Sequence, residues 1–189
     1  PMPTAWRIGR GRISLELRQF FRDRESAVFN FALPVLLLIV FGSVFGGQDL
    51  GGTDVSFAQY FVAGMIASGI LYTSFQNLAI SIPIEREDGT LKRLRGTPMP
   101  KSSYFMGKVG TVVVAYVAQI IVLITVGRVF YGLAIPTELS AWVTFAWLSA
   151  LGLIACTLLG IAYSVVPRQG KGASAVVAPV VLVLQFISG

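Results

Sequence analysis

Several apolar runs in this chain are as long as a lipid bilayer is thick, and that feature limits its fold more than any other. In a helix rising 1.5 Å per residue, about 20 apolar residues cross the roughly 30 Å hydrocarbon core. Runs over about 27–45, 57–82, 104–126 and 141–166 meet or approach that length, and a fifth begins near 173 and reaches residue 189. They are apolar on all sides rather than alternating, so a barrel of short strands does not fit them. With 54% hydrophobic and 13% charged residues, and a mean hydropathy of +0.74, a soluble globule would lack the charge to coat itself. The expected fold is all-α and polytopic, with five membrane segments: residues 1–26 form an amphipathic lead-in and 27–189 the membrane domain.

The lead-in is patterned for an interface. Ile13, Leu17, Phe20 and Phe21 fall in one apolar helical sector, while Arg12, Glu16, Gln19 and Asp23 face away, with Leu15 as the exception. Arg7, Arg10, Arg12, Arg18, Arg22 and Arg24 surround this helix, which suits one lying among lipid phosphates. Its polar length and the lack of a small-residue cleavage site argue against a secretory leader, so the first run is expected to remain as an anchor, bent near Pro34.

Polar residues inside the spans must face protein or a polar cavity, because lipid offers them no partner. Gln76, Asn77, Gln119 and Gln185 are therefore expected to make interhelical contacts or to line a route. Gly64 and Ser68 have a spacing that admits a neighbouring helix. Gly152, Cys156, Gly160 and Ser164 recur every four residues as a ridge of small side chains, expected to pack within the subunit, with a subunit interface as the alternative. Cys156, the one cysteine, reads as a packing residue in that ridge.

Charge placement predicts orientation. With the amino terminus inside, the segments 1–26, 83–108 and 167–172 hold fourteen of the fifteen Lys and Arg, and Arg128 alone falls outside. This is a strong positive-inside bias and predicts an N-in protein of a cytoplasmic-type cell membrane. The net charge of +6 is thus accounted for by anionic lipid and topology, with no nucleic-acid partner expected.

Catalytic patterns are missing. With no histidine and one cysteine, the usual zinc and haem ligand sets cannot form. Gly170-Lys171-Gly172-Ala173-Ser174 only faintly resembles a phosphate-binding loop, because Lys171 is followed by glycine and position 165 is valine. No span carries a charge at its centre, so no proton or ion relay is expected. The chain is expected to be no enzyme and to hold no cofactor or metal. What remains is transport driven by another subunit, a channel or a scaffold.

The longest charged stretch narrows this choice. Glu85-Arg86-Glu87-Asp88-Gly89-Thr90-Leu91-Lys92-Arg93-Leu94-Arg95-Gly96-Thr97-Pro98 places Leu91 and Leu94 on one face of a short helix that Pro98 must end. The run resembles the E-R-E-x-G-T-L-x-x-L-x-x-T-P segment that follows the second helix of type-2 ATP-binding-cassette (ABC) permeases, and 179–189 is similar to the same family's fifth helix. Daunorubicin-type multidrug exporter permeases are the nearest look-alikes. The resemblance implies six spans, an amphipathic elbow before the first, and a loop helix that docks on a separate cytoplasmic ABC ATPase. That ATPase would be present in two copies, hold ATP and Mg, and work with a second or homologous permease. The sixth span is expected beyond Gly189, because no charged anchor closes the fifth. Carried over by position, 84–97 is the coupling segment, with Leu91 and Leu94 entering an ATPase cleft and Glu85, Arg86, Glu87 and Arg93 making polar contacts around it. The expected function is efflux of drug-like or other hydrophobic and amphipathic compounds. Export of lipid-linked polysaccharide or teichoic acid is the alternative, favoured if Tyr60, Phe61, Tyr72 and Phe75 share a cavity wall. A non-transporting membrane assembly protein is a further one.

Overall fold

A computed structural model describes residues 11, 13–18, 24–45, 57–96, 101–133 and 135–188. The described residues are 90% helical, with no strand among them. A helical segment over 13–18 precedes α1 (Arg24–Phe45). Then follow α2 (Phe57–Ile70), a π-helical stretch (Leu71–Gln76) and α3 (Asn77–Glu87), which together form one unbroken rod. A two-residue turn leads to α4 (Thr90–Arg95), and then come α5 (Lys101–Tyr131), α6 (Leu139–Tyr163), a 3-10 turn (Gly170–Gly172) and α7 (Ala173–Ser188).

Four helical stretches are long and apolar enough to cross a membrane: Phe57–Glu87, Ser102–Tyr131, Leu139–Tyr163 and Gly170–Ile187. The first expected span lies in α1, a helix of 22 residues whose described apolar stretch, Pro34–Phe45, is shorter. The rod α2–α3 is the centre of the bundle, with 44% of its apolar window buried against 17% for α6. Near one end, Leu38, Val62, Ile66, Tyr116 and Leu123 join α1, α2 and α5. Toward the other, Phe75, Ala79, Val177 and Val181 join the rod to α7, while Leu78, Ile82 and Val112 join it to α5. The outward faces of α5, α6 and α7 remain apolar, with Ile121, Trp147, Leu158 and Phe186 all exposed. Such a surface needs lipid or another apolar partner.

Several boundaries differ from the expectation for local reasons. The third span runs past 126 to Tyr131, so the loop begins only at Gly132, whose φ of 60° ends the helix. The second span continues through Pro83 to Glu87, and the coupling segment over 84–97 is therefore not a single helix. It breaks at Gly89, which adopts the left-handed conformation, φ 74°, that a residue with a Cβ reaches only at a cost. Thr97, Pro98, the 46–56 loop and most of the expected elbow lie outside the described residues.

Candidate functional site

The chain's chemistry gathers at one end of the bundle, around the last turn of α3. Glu85 accepts a hydrogen bond from the Tyr104 hydroxyl at 2.8 Å and pairs with the Lys108 ammonium. Lys108, only 5% exposed, also pairs with Glu16 at 2.9 Å and sits 5.8 Å from the Tyr104 ring centroid. Tyr104 and Lys108 are one helical turn apart, so α5 presents both to the same carboxylate. Burying an ammonium in this way is tolerable because two carboxylates face it.

This arrangement corrects the reading of the 13–18 segment. Glu16, expected on its solvated side, is 5% exposed and turned onto Lys108, whereas Leu15 is 55% exposed. Ile13, one turn from Glu16, lies over Gly110, where an added Cβ would come within 2.6 Å of it. The segment thus packs on α5 through a mixed pair of residues, because α5 offers a glycine beside a lysine.

The next two residues of the run address two other helices. Arg86 donates to the Ser164 carbonyl at 3.0 Å, at the C-terminal end of α6. Glu87 accepts from the Gly170 and Lys171 backbone N–H groups, the latter at 3.3 Å, where the 3-10 turn opens into α7. A cation at a helix C-terminus and an anion at a helix N-terminus both complement the backbone dipoles. The sequence order Arg-Glu therefore matches a turn in which one helix ends and the next begins. Gly170 permits this approach, since a Cβ there would lie 2.7 Å from the Ile84 Cα.

Asp88 in the turn is exposed; beyond Gly89, Lys92 and Arg93 are exposed, and Leu91 and Leu94 are half-buried. Glu85, Arg86 and Glu87, expected to make polar contacts with a partner, have contacts inside the chain, and Arg86 and Glu87 remain exposed. Thr90, half-buried, opens α4, and its Arg93 N–H donates to the Gly89 carbonyl at 3.0 Å.

Further along the bundle, Gln185 accepts from the Tyr72 hydroxyl at 2.6 Å and donates to Ser68 Oγ at 3.3 Å, tying α7 to the central rod. Gln119 is buried against Gly69, where a Cβ would meet its amide at 2.7 Å. Gln76 and Asn77 lie half-buried where the π-helical stretch passes into α3. The small-residue ridge packs within the chain: Gly152 faces Ile70, Cys156 adjoins the Phe75 cluster, Gly160 faces the Phe75 backbone, and Ser164 holds Arg86. Gly64 has no neighbour within 4 Å, so its expected role in admitting a helix is not seen among the described residues.

Residue reasoning missed Lys108 as a hub, the Tyr116–Ser149 hydroxyl pair at 3.0 Å, and the π-helical stretch. The single Tyr-x-x-x-Lys spacing of Tyr104 and Lys108, after a carboxylate-rich run, was the available signal for Lys108. Nothing in the residue pattern marks the π-helical stretch.

A cavity of about 550 Å³ opens between α2, α5 and α6, toward the end opposite α4. Val62, Ile66, Ile70, Ile124 and Phe145 give it an apolar wall, and the Tyr116–Ser149 pair supplies its polar spot. Trp142 also lines it and donates to the Pro136 carbonyl at 2.9 Å. Tyr60, Phe61, Tyr72 and Phe75 do not line this cavity, and Phe75 is buried against Tyr163.

A helical bundle with several membrane-length apolar helices and a layer of paired charges gathered at one end defines a multi-pass membrane protein. The chain belongs to the ABC-2 type transporter family, whose family model matches residues 13–189. It is therefore a membrane permease component of an ABC transporter, the part of such a machine that works with an ABC ATPase subunit. No curated protein and no solved structure matches the chain.

Proposed function

We propose that this permease exports drug-like or other hydrophobic and amphipathic compounds across the cell membrane, with the amino terminus and the charged end inside. The 550 Å³ cavity carries the cargo reading. Its wall suits a hydrocarbon body, and the Tyr116–Ser149 pair suits one hydroxyl, carbonyl or amine. The four aromatic residues whose shared wall would favour a long glycan, Tyr60, Phe61, Tyr72 and Phe75, do not line the cavity.

Energy enters at the other end. α4 docks on a separate ATPase, two copies of which serve two permeases, with ATP and Mg held by the ATPase. Leu91 and Leu94 supply the apolar contact of α4, with Lys92 and Arg93 exposed beside them. The test uses the full-length permease with its ATPase in inverted membrane vesicles and a lipophilic fluorescent amine as probe. ATP-dependent uptake is expected, with loss of both ATPase co-purification and uptake in Leu91→Asp, Leu94→Asp. Retained co-purification in that variant would remove α4 as the docking element, and uptake indifferent to ATP would remove the exporter reading.

A further inference from the structure

Each charged side chain in Glu85-Arg86-Glu87 grips a different part of its own chain. Glu85 holds α5 through Tyr104 and, by way of Lys108, the 13–18 segment. Arg86 holds the end of α6, and Glu87 the start of α7. The last turn of α3 is thus tied to four other stretches of the chain, and a two-residue turn joins it to α4.

We propose that Glu85, Arg86 and Glu87 are positioning residues: together they latch the charged end into one body, so that a displacement of α4 is delivered to α5, α6 and α7 at once. The acids of the run do not read the ATPase; that surface is α4 itself. This inference rests on the reading of α4 as the docking element. The physical ground is the kind of contact involved. Apolar helix faces slide past one another at little cost, whereas charge-assisted hydrogen bonds are short and directional and hold one relative position. Arg86 and Glu87 also use opposite helix ends, so neither can satisfy the other's site if the α6–α7 turn shifts. The Lys108 cluster is buried, where losing one partner leaves an uncompensated charge.

The experiment separates docking from transmission. The full-length permease and its ATPase are reconstituted in phosphatidylethanolamine–phosphatidylglycerol vesicles on a Cys156→Ser background. An environment-sensitive fluorophore is attached through Val129→Cys, an exposed position at the far end of α5. Addition of ATP and vanadate is expected to shift its emission in the otherwise unmodified protein. In Glu85→Gln, Glu87→Gln that shift is expected to fall at least fivefold, while ATPase co-purification and ATP hydrolysis stay within twofold. The exchange Glu16→Lys, Glu85→Lys with Lys108→Glu keeps opposite charges across both contacts of residue 108 and is expected to retain at least half of the shift of the otherwise unmodified protein. If the double variant does not elute as a folded complex, Arg86→Gln alone is expected to show the same split.

A full emission shift in Glu85→Gln, Glu87→Gln overturns the latch. So does parallel loss of co-purification and shift in the folded variants, which would assign the acids to docking. If the unmodified permease recovers no ATPase, the docking reading fails first and the latch with it, a result distinct from either of the others.

Discussion

Gly160 shows how much a single hydrogen can decide. A Cβ at that position would lie 2.8 Å from the Phe75 carbonyl oxygen and 3.0 Å from its Cα, so α6 meets the central rod backbone to side. In a membrane, helices associate through such close packing, because lipid is as apolar as the side chains it would replace. Gly160→Ala is expected to cost about 1–3 kcal/mol through overpacking, measured as a lowered thermal midpoint in detergent. Gly64→Ala, on a face with no neighbour within 4 Å, is the matched control and is expected to leave the midpoint in place. An equal effect of the two changes would mean that the small-residue ridge is not the close contact. The ridge was legible from its four-residue spacing, whereas its partner was not, because spacing identifies a face and not what lies against it.

Among the elements, the stretch from α3 to α4 departs most from its sequence reading. Local pattern placed a short helix around Leu91 and Leu94 that Pro98 must end, and the family resemblance set the coupling segment at 84–97. The helix instead arrives from the membrane, continues to Glu87 and restarts at Thr90, because Gly89 can take a positive φ. Gly89→Ala should strain this turn by about 1–2 kcal/mol and loosen α4. Roughly tenfold faster amide exchange over Thr90–Arg95, with α3 unchanged, is the expected measurement. Unaltered exchange would show that the turn is held by other contacts. Between the π-helical stretch and α7 the Tyr72–Gln185 hydrogen bond should matter less. Tyr72→Phe is expected to lower stability by only about 0.6 kcal/mol, near the resolution of a denaturation assay, because a freed amide in a bundle finds other partners. A loss of several kcal/mol would mark this pair as structurally essential.

At the scale of the whole molecule, the three basic segments meet at one end. The 85–87 run touches the 164–171 turn directly and is linked to the 13–18 segment through Lys108, as positive-inside counting implies for regions on the same side. Which side that is can be measured. On a Cys156→Ser background, Val129→Cys is expected to react with a membrane-impermeant maleimide in intact cells, and Lys92→Cys only after the membrane is opened. Labelling of Lys92→Cys in intact cells would reverse the orientation and disconnect α4 from a cytoplasmic ATPase.

The residue order alone decided the solvent, the approximate position of each apolar helix and the segregation of charge, because these depend on length and hydropathy along one helix at a time. The family was legible too, from a short motif with fixed spacing. What the tertiary structure decided is direction. It turned Glu16 and Glu85 onto Lys108, gave Arg86 and Glu87 to opposite helix ends, and set Gly160 against Phe75. Those pairings join residues 23 to 92 positions apart, and they depend on how helices cross, a quantity that no periodicity within a single helix contains.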